Sequence, residues 1–526
     1  MSVDHAPLWA AIDERSDSRD IAIVEMGADG PNTSVTFAQL DADIQRVAGG
    51  LVELGVVKGD RLAILVPPGI DLAVSIFAAW RVGAVVVLVD AGIGIRGIGH
   101  ALASANPGYL VGIPKALLAA RTLQWPGVRT STQQLRERGE GVQLPERPGA
   151  LDVAGIGFTS GATGPAKGVV YRHHQLQAQR DAIRSLYEIG SSDSLVAAFG
   201  PFALFGPLIG IPSVVPDMEL TSPGTLTAAA LADAAAAVDA TLVFGSPAAL
   251  RNVIATAGDL SDDQRTALEH ARLLLSAGAP VNVEILREAA ALMPNAEAHT
   301  PYGMTEAMPV ADIDLEGIVD AGNRSGVCVG VPVEGVEVAI AAIDSNGRAV
   351  GALTSEAGVV GEVCIRAPHM RDGYDKLWVT QDMASQPVGW HRSGDVGHLD
   401  DEGRLWVEGR IGHVVTTAAG PVTPIGIEHA VELLDGVALA AMVGVGPVGT
   451  QQIVVVLALV DGVRSPGLAS ESLADQVRGL GGAVDIAAVF TVPELPVDKR
   501  HNSKIDRGRI ALWAEAVLAG GRLGRL

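Results

Sequence analysis

The sequence predicts an α/β protein. It has a large N-terminal part of two βα-layered subdomains plus a small β-rich one, followed by a smaller α/β C-terminal domain. Three observations carry this reading. At 526 residues the chain is too long for one ordinary core, since domains run to about 150 residues each. Hydrophobic residues make up 48%, with 63 glycines and only 4% aromatics, so large cores with many short α/β connections are within reach. Short β-branched apolar runs alternate with amphipathic helical patterns, the rhythm of parallel sheets covered by helices.

The elements follow in order. A helical pattern over Asp41–Leu54 precedes a buried-strand run, Arg61–Val66. A second helix, Asp71–Arg81, precedes the strand Ala84–Val89. The stretch Leu72–Val89 is the most apolar in the chain, but Arg81 and Gly83 interrupt it. It reads as helix plus strand, not as a membrane span. Helices at Leu226–Val238 and Asp262–His270 lead into strands Thr241–Gly245 and Leu273–Ser276. From Val327 to Arg366 the pattern changes to short strands, Val336–Ile340 and Gly361–Ile365, between Gly/Asp/Asn turns. A second break falls at Gly409-Arg410. Beyond it, helix Ile427–Leu434, strand Ile453–Val460 and helix Leu473–Leu480 suffice for a small α/β domain. Pro145–Pro148 and Asp461–Pro466 read as surface loops, and no internal repeat is evident. The expected division is residues 1–408 and 411–526.

The net charge of −22 argues against non-specific nucleic-acid binding and against an anionic membrane surface. Cys328 and Cys364 lie in apolar contexts outside any CxxC or Cys/His pattern, so buried thiols are expected, not a zinc site or a disulfide framework. The N-terminus lacks a basic region followed by an apolar run, so a cytoplasmic, soluble protein is expected.

Chemistry concentrates in Thr159-Ser-Gly-Ala-Thr-Gly-Pro-Ala-Lys-Gly168. Glycines let a backbone approach a bulky anion, successive N–H groups can point at phosphate oxygens, and Lys167 adds a compact positive charge. The ordinary reading of such a cluster is a plain loop. It is not a Walker A loop, because Ala166 precedes the lysine and Gly168 follows it. With no hydroxyl after the lysine, a metal would need a carboxylate from elsewhere. Four further clusters are Ser276-Ala-Gly-Ala-Pro280, His299-Thr-Pro-Tyr-Gly-Met-Thr-Glu306, Trp390-His-Arg-Ser-Gly-Asp395 running on to Arg410, and Pro496-Val-Asp-Lys-Arg-His-Asn-Ser-Lys504. Each alone is an ordinary turn or a solvated face. The chain has six lysines, and two of them, Lys167 and Lys504, fall in these motifs.

In this order and spacing the motifs resemble the adenylate-forming superfamily of acyl-CoA synthetases, peptide-synthetase adenylation domains and luciferases. The resemblance runs from Thr36-Phe-Ala-Gln-Leu40 to Lys504. It implies that Thr159, Ser160, Gly161, Thr163, Gly164 and Lys167 hold the ATP phosphates. Gly278, Ala279, Tyr302 and Gly303 would hold the adenine, and Thr305 the α-phosphate. Glu306 would bind Mg²⁺. Asp395 would accept from the ribose hydroxyls with Arg410 nearby, and Lys504 would reach the site from a mobile C-terminal lid. The implied cofactors are ATP and Mg²⁺.

Members differ in the second step. Many thioester-forming members carry polar or basic residues after the hinge, whereas Thr416–Glu428 has no basic side chain before the helix and Gly412 takes the usual hinge position. Leu204 stands where many members have a histidine. These departures weigh against CoA. Val111-Gly-Ile-Pro-Lys115, Phe202-Ala-Leu-Phe-Gly-Pro207, Phe244-Gly-Ser-Pro247, Glu306-Ala-Met-Pro-Val310 and His501-Asn-Ser-Lys504 resemble one subgroup, the OleC-type β-lactone synthetases of bacterial olefin and lactone biosynthesis. That resemblance implies a 2-alkyl-3-hydroxy acid substrate whose own hydroxyl closes a four-membered lactone, with other enzymes of the same lipid pathway as possible partners. Phe199, Phe202, Leu204 and Phe205 are candidates to line an alkyl pocket, and equally candidates for ordinary core. His173 and His174, at a helix start, have the chemistry of a general base, though surface or capping roles are commoner. His299, His391 and His501 receive no catalytic role. A fatty acyl-CoA synthetase is the alternative. A non-catalytic AMP-binding scaffold is the third reading, and it would need neither Glu306 nor Lys504.

Overall fold

The computed structural model describes residues 5–158, 166–199, 202, 204–219, 222–278, 281–322, 325–482, 484–497 and 505–526, with Ala91 described by its backbone alone. The chain divides into two compact units. One comprises Met1–Val310, Val333–Gly335 and Ala367–Asp382, the other Ala311–Pro332, Val336–Arg366 and Met383–Leu526.

The first unit holds two seven-stranded sheets. One runs Gly373–Tyr374, Gly168–Arg172, Val153–Phe158, Val85–Leu88, Arg61–Leu65, Tyr109–Gly112, Val128–Thr130. Its last five strands are parallel, and the first two pair antiparallel. The other runs Glu297–His299, Leu273–Leu275, Leu242–Phe244, Leu195–Ala197, Ser213–Val215, Ile21–Gly27, Gly30–Thr36. It is parallel except for its last strand. Buried β-branched and leucine runs form these strands because both faces are covered. The expected strands at Arg61, Ala84, Thr241 and Leu273 are present, each one or two residues shorter than expected. The apolar stretch Leu72–Val89 divides as expected into helix Ile70–Arg81 and strand Val85–Leu88.

One helix starts earlier than its hydrophobic pattern. It covers Phe37–Glu53 rather than starting at Asp41, because Thr36 and Gln39 cap each other's backbone N–H groups reciprocally. Its Phe37, Leu40, Ile44, Val47 and Leu51 enter a core with Leu8, Ile12, Ile76, Phe77 and Trp80.

The second unit contains an antiparallel six-stranded sheet in the order Val327–Cys328, Leu405–Arg410, His391–Leu399, Gly361–Arg366, Glu337–Ile343, Ala349–Thr354. The expected β-rich region therefore extends beyond Arg366 to include residues 391–410. Cys328 and Cys364 are buried and neither is in a disulfide. A four-stranded sheet, Val437–Val445, Gln452–Leu459, Ile486–Val492, Gly467–Leu468, carries helices Pro424–Glu432, Glu471–Leu480 and Arg507–Leu518. The first of these begins at Pro424, where a proline costs nothing because the first-turn N–H has no helical partner. Among the described residues no helix is long and apolar enough to cross a membrane.

Candidate functional site

In the first unit, strand Gly168–Arg172 starts directly after Lys167 and pairs antiparallel with Val153–Phe158, so Phe158 faces Gly168. Both described ends of the phosphate-loop candidate thus lie side by side at one strand end. Thr159, Ser160, Gly161, Thr163 and Gly164 lie outside the described residues.

Three bonds fix the segment after Tyr302 to its neighbours. The Tyr171 hydroxyl donates to the Thr305 carbonyl. The Arg371 backbone N–H donates to the Glu306 carbonyl at 2.8 Å. The Tyr374 hydroxyl donates to Glu306 Oε1 at 2.7 Å. Tyr374 reaches Glu306 because its short strand pairs with Gly168–Arg172, Tyr374 opposite Val169. The Lys167 Nζ stands 5.5 Å from the centroid of the Tyr374 ring, and the Arg371 guanidinium carbon 4.1 Å from it. Gln381 Oε1 accepts from Arg371 at 2.7 Å and from the Tyr374 N–H at 3.0 Å. Burial, then the negative charge of Glu306, pushes both the Tyr171 and Tyr374 phenols up, so each stays a protonated donor.

Lys167, Thr305 and Glu306 are therefore gathered around two tyrosines and an arginine. Sequence reasoning missed Tyr171, Arg371, Tyr374 and Gln381. The only available signal was an arginine and a tyrosine flanking Gly373, too common to single out. Tyr302 and Gly303 form a short strand, Tyr302–Met304, beside Ala307–Asp312. A Cβ on Gly303 would meet the Ala307 carbonyl and Met308 Cβ at 3.0 Å, a tight contact that favours glycine at this close strand return. Gly278 follows strand Leu273–Leu275 with φ +100°, a conformation that favours glycine. Ala279 lies outside the described residues.

Phe202 stacks on Phe244 at 4.0 Å between centroids, and Phe199 and Phe205 adjoin it at 6.0 and 5.7 Å. This aromatic wall borders the core of Ile183, Ile209, Leu242 and Leu275. Leu204 is set apart from it, in the core of Leu8, Ile12 and Phe37. His173 is neither a surface residue nor a helix cap: its ring is buried between Trp9 and Trp80. His174 is half-buried and bonds the Ala150 carbonyl. His299 packs edge-on against Tyr187 at 5.5 Å, His391 is buried, and His501 lies outside the described residues.

In the second unit Asp395 sits directly opposite Arg410 across one antiparallel pair. Arg410 Nε lies 3.0 Å from Asp395 Oδ1, and its terminal nitrogen donates to the Ser393 carbonyl at 3.0 Å. Gly394, at φ +75°, turns the chain so that the Ser393 hydroxyl accepts from the Asp395 N–H at 2.9 Å and donates to the Val363 carbonyl at 2.7 Å. The hairpin end is held by Asp400, whose carboxylate accepts from the Glu402 and Arg404 N–H groups and from Arg404 Nε and Trp406 Nε1, all at 2.8 to 3.0 Å. Burial raises that carboxyl, but the bonds from Trp406, Arg404 and the turn amides outweigh it and bring it down to about 2. Beyond the hairpin, buried Glu408 bonds His398 Nδ1 and the Thr423 hydroxyl, each at 2.6 Å. Lys504 lies outside the described residues.

A model of the AMP-binding enzyme family matches residues 11–375. The chain is 37% identical to the olefin β-lactone synthetase of Xanthomonas campestris pv. campestris, covering 95% of each. It is 35% identical to that of Stenotrophomonas maltophilia, covering 93% of this chain and 92% of that one. In structure it resembles the o-succinylbenzoate CoA synthetase of Bacillus subtilis in complex with an acyl-adenylate intermediate, with a TM-score of 0.78 over the full length of both chains at 20% identity.

Proposed function

The chain belongs to the AMP-binding enzyme family, and we propose that it uses ATP to convert a 2-alkyl-3-hydroxy fatty acid into a β-lactone, AMP and pyrophosphate. The observation that carries this reading is the near full-length similarity to two olefin β-lactone synthetases. Relatives named as CoA ligases stand further off, such as a long-chain ligase of Mycobacterium tuberculosis at 26% identity.

A carboxylate is a poor electrophile, so it is first activated. Its oxygen attacks the α-phosphorus, and the bond to the β-phosphate breaks with its electron pair on pyrophosphate. The product is an acyl-AMP. The acid's 3-hydroxyl then attacks the acyl carbon, the bond to AMP breaks, and the hydroxyl proton passes to water. Because that hydroxyl is tethered beside its target, no second acceptor site is needed. Ring closure by loss of water alone would be strained and uphill, which accounts for the use of ATP.

This protein's residues contribute position and charge. Lys167 and the loop before it face the β- and γ-phosphates, Thr305 the α-phosphate, and Gly278, Ala279, Tyr302 and Gly303 the adenine. Asp395, oriented by Ser393 and Arg410, accepts from the ribose hydroxyls. Phe199, Phe202 and Phe205 offer an apolar wall to the alkyl chains. Glu306 suits Mg²⁺: among the described residues no three Asp, Glu, His or Cys side chains gather into a cage, and this ion is commonly held by one or two carboxylates plus waters and substrate phosphates. When bound, Mg²⁺ supplies charge neutralisation at the phosphate oxygens. Residues 411–526 form a lid hinged at Gly409–Gly412 that delivers Lys504 to the developing charge.

The test is product analysis by mass spectrometry. A 2-alkyl-3-hydroxy acid with ATP and Mg²⁺ gives a β-lactone, AMP and pyrophosphate at a rate indifferent to CoA. The same acid without its 3-hydroxyl stops at acyl-AMP or its slow hydrolysis. Rapid CoA-dependent thioester formation from the plain acid would overturn the reading in favour of an acyl-CoA synthetase.

A further inference from the structure

We infer that Tyr374 is a positioning residue for Glu306, holding one carboxylate oxygen so that the other is presented to a divalent cation. This rests on reading Glu306 as the cation-binding carboxylate. A carboxylate can only accept, so the 2.7 Å contact is a bond from the Tyr374 hydroxyl to Glu306 Oε1. That bond engages Oε1 and not Oε2. A glutamate has three side-chain torsions, and ordering them before the ion arrives removes part of the entropy cost of binding.

Tyr374 is itself held firmly enough to act this way. Its backbone is locked by pairing with Val169 and by the bond from its N–H to Gln381 Oε1. Its ring is covered by the Arg371 guanidinium, which Gln381 also holds. Arg371 is buried and donates its own N–H to the Glu306 carbonyl. The same short segment, residues 371–374, therefore fixes both the main chain and the side chain of Glu306. Gln381 lies on the helix Trp378–Ala384, so that helix supports the carboxylate at third hand. Supporting bonds of this kind are worth on the order of 10–100-fold in metal affinity.

The test is Tyr374→Phe, which keeps the ring and its stacking on Arg371 and deletes only the hydroxyl. Mn²⁺ binding is titrated by electron paramagnetic resonance in the presence of a non-hydrolysable ATP analogue, with Glu306→Gln in parallel. The expected result is a loss of Mn²⁺ affinity of about ten-fold or more in Tyr374→Phe and a larger one in Glu306→Gln. Metal-free nucleotide affinity and the melting temperature stay at wild-type values in Tyr374→Phe, which a merely structural role would not leave untouched. Weakened Mn²⁺ binding in Glu306→Gln with wild-type binding in Tyr374→Phe would overturn this inference alone. Wild-type Mn²⁺ binding in Glu306→Gln would overturn the reading of Glu306 on which it rests.

Discussion

Replacing His173 with phenylalanine should remove a defined part of the protein's acid sensitivity. The ring is 1% exposed, and among the described residues neither of its nitrogens has a hydrogen-bond partner. The rings of Trp9 and Trp80 meet it edge-on at 5.6 and 6.0 Å. Burial pulls its pKa from 6.5 down to about 4; Asp152 opposes the shift, and Lys58 adds to it. In this interval the unfolded chain binds a proton that the folded one refuses, so stability rises with pH. The contribution is whole above pH 6.5, falls as pH drops toward 4, and levels off below that. For these two pKa values the loss between about pH 7.5 and about pH 5 is about 2 kcal/mol. Phenylalanine fills a similar volume and leaves no unpaired nitrogen, so at the higher pH the variant should equal or exceed wild type. Urea denaturation of both proteins at both pH values gives the difference of differences. His413, also pulled down to about 4 by burial and by Arg507 and Arg410, is present in both and cancels. Parallel pH profiles for the two proteins would refute the argument, because His173 would then titrate alike in the folded and unfolded chains.

Two further outcomes follow from the proposed mechanism. Lys504→Ala should slow pyrophosphate release by on the order of 10²–10³ with little change in melting temperature; an unchanged rate removes Lys504 from the chemistry. Limited proteolysis should cut near Gly409–Gly412 at a rate that ATP analogues alter, whereas a chain uncut there would count against the hinge.

The parallel layers were legible because buried strands announce themselves. Val85–Leu88 and Leu273–Leu275 are unbroken apolar runs of strand length. Element starts were less legible. Phe37 begins its helix through a reciprocal cap between Thr36 and Gln39, a polar signal that hydrophobic spacing does not weigh. The helix Arg507–Leu518 went unread because only Ile510 and Ala514 are buried on it, too thin a stripe to stand out. The pairing of Asp395 with Arg410 joins two residues that the sequence motifs had singled out together. Tyr374 was not singled out: its partner Glu306 is 68 residues away, and only sheet pairing with the strand after Lys167 brings the two together. Leu204 was grouped with three phenylalanines on sequence nearness, yet it stands at the N-cap of helix Phe205–Ile209 and its side chain lies in a different core.

The hairpin that turns at Asp400 ties the Asp395–Arg410 pair to a count of residues. Strand side chains alternate faces, and with one bulge between Val396 and Gly397 the Asp395–Arg410 partnership depends on the number of residues in the 400–404 turn. Adding or removing one would slide Arg410 past Asp395 and turn it to the other side of the sheet unless a bulge absorbed the change. Asp401 and Glu402, both exposed, are free to become almost anything in a descendant of this chain. The turn is thus open to a change of spelling and closed to a change of length.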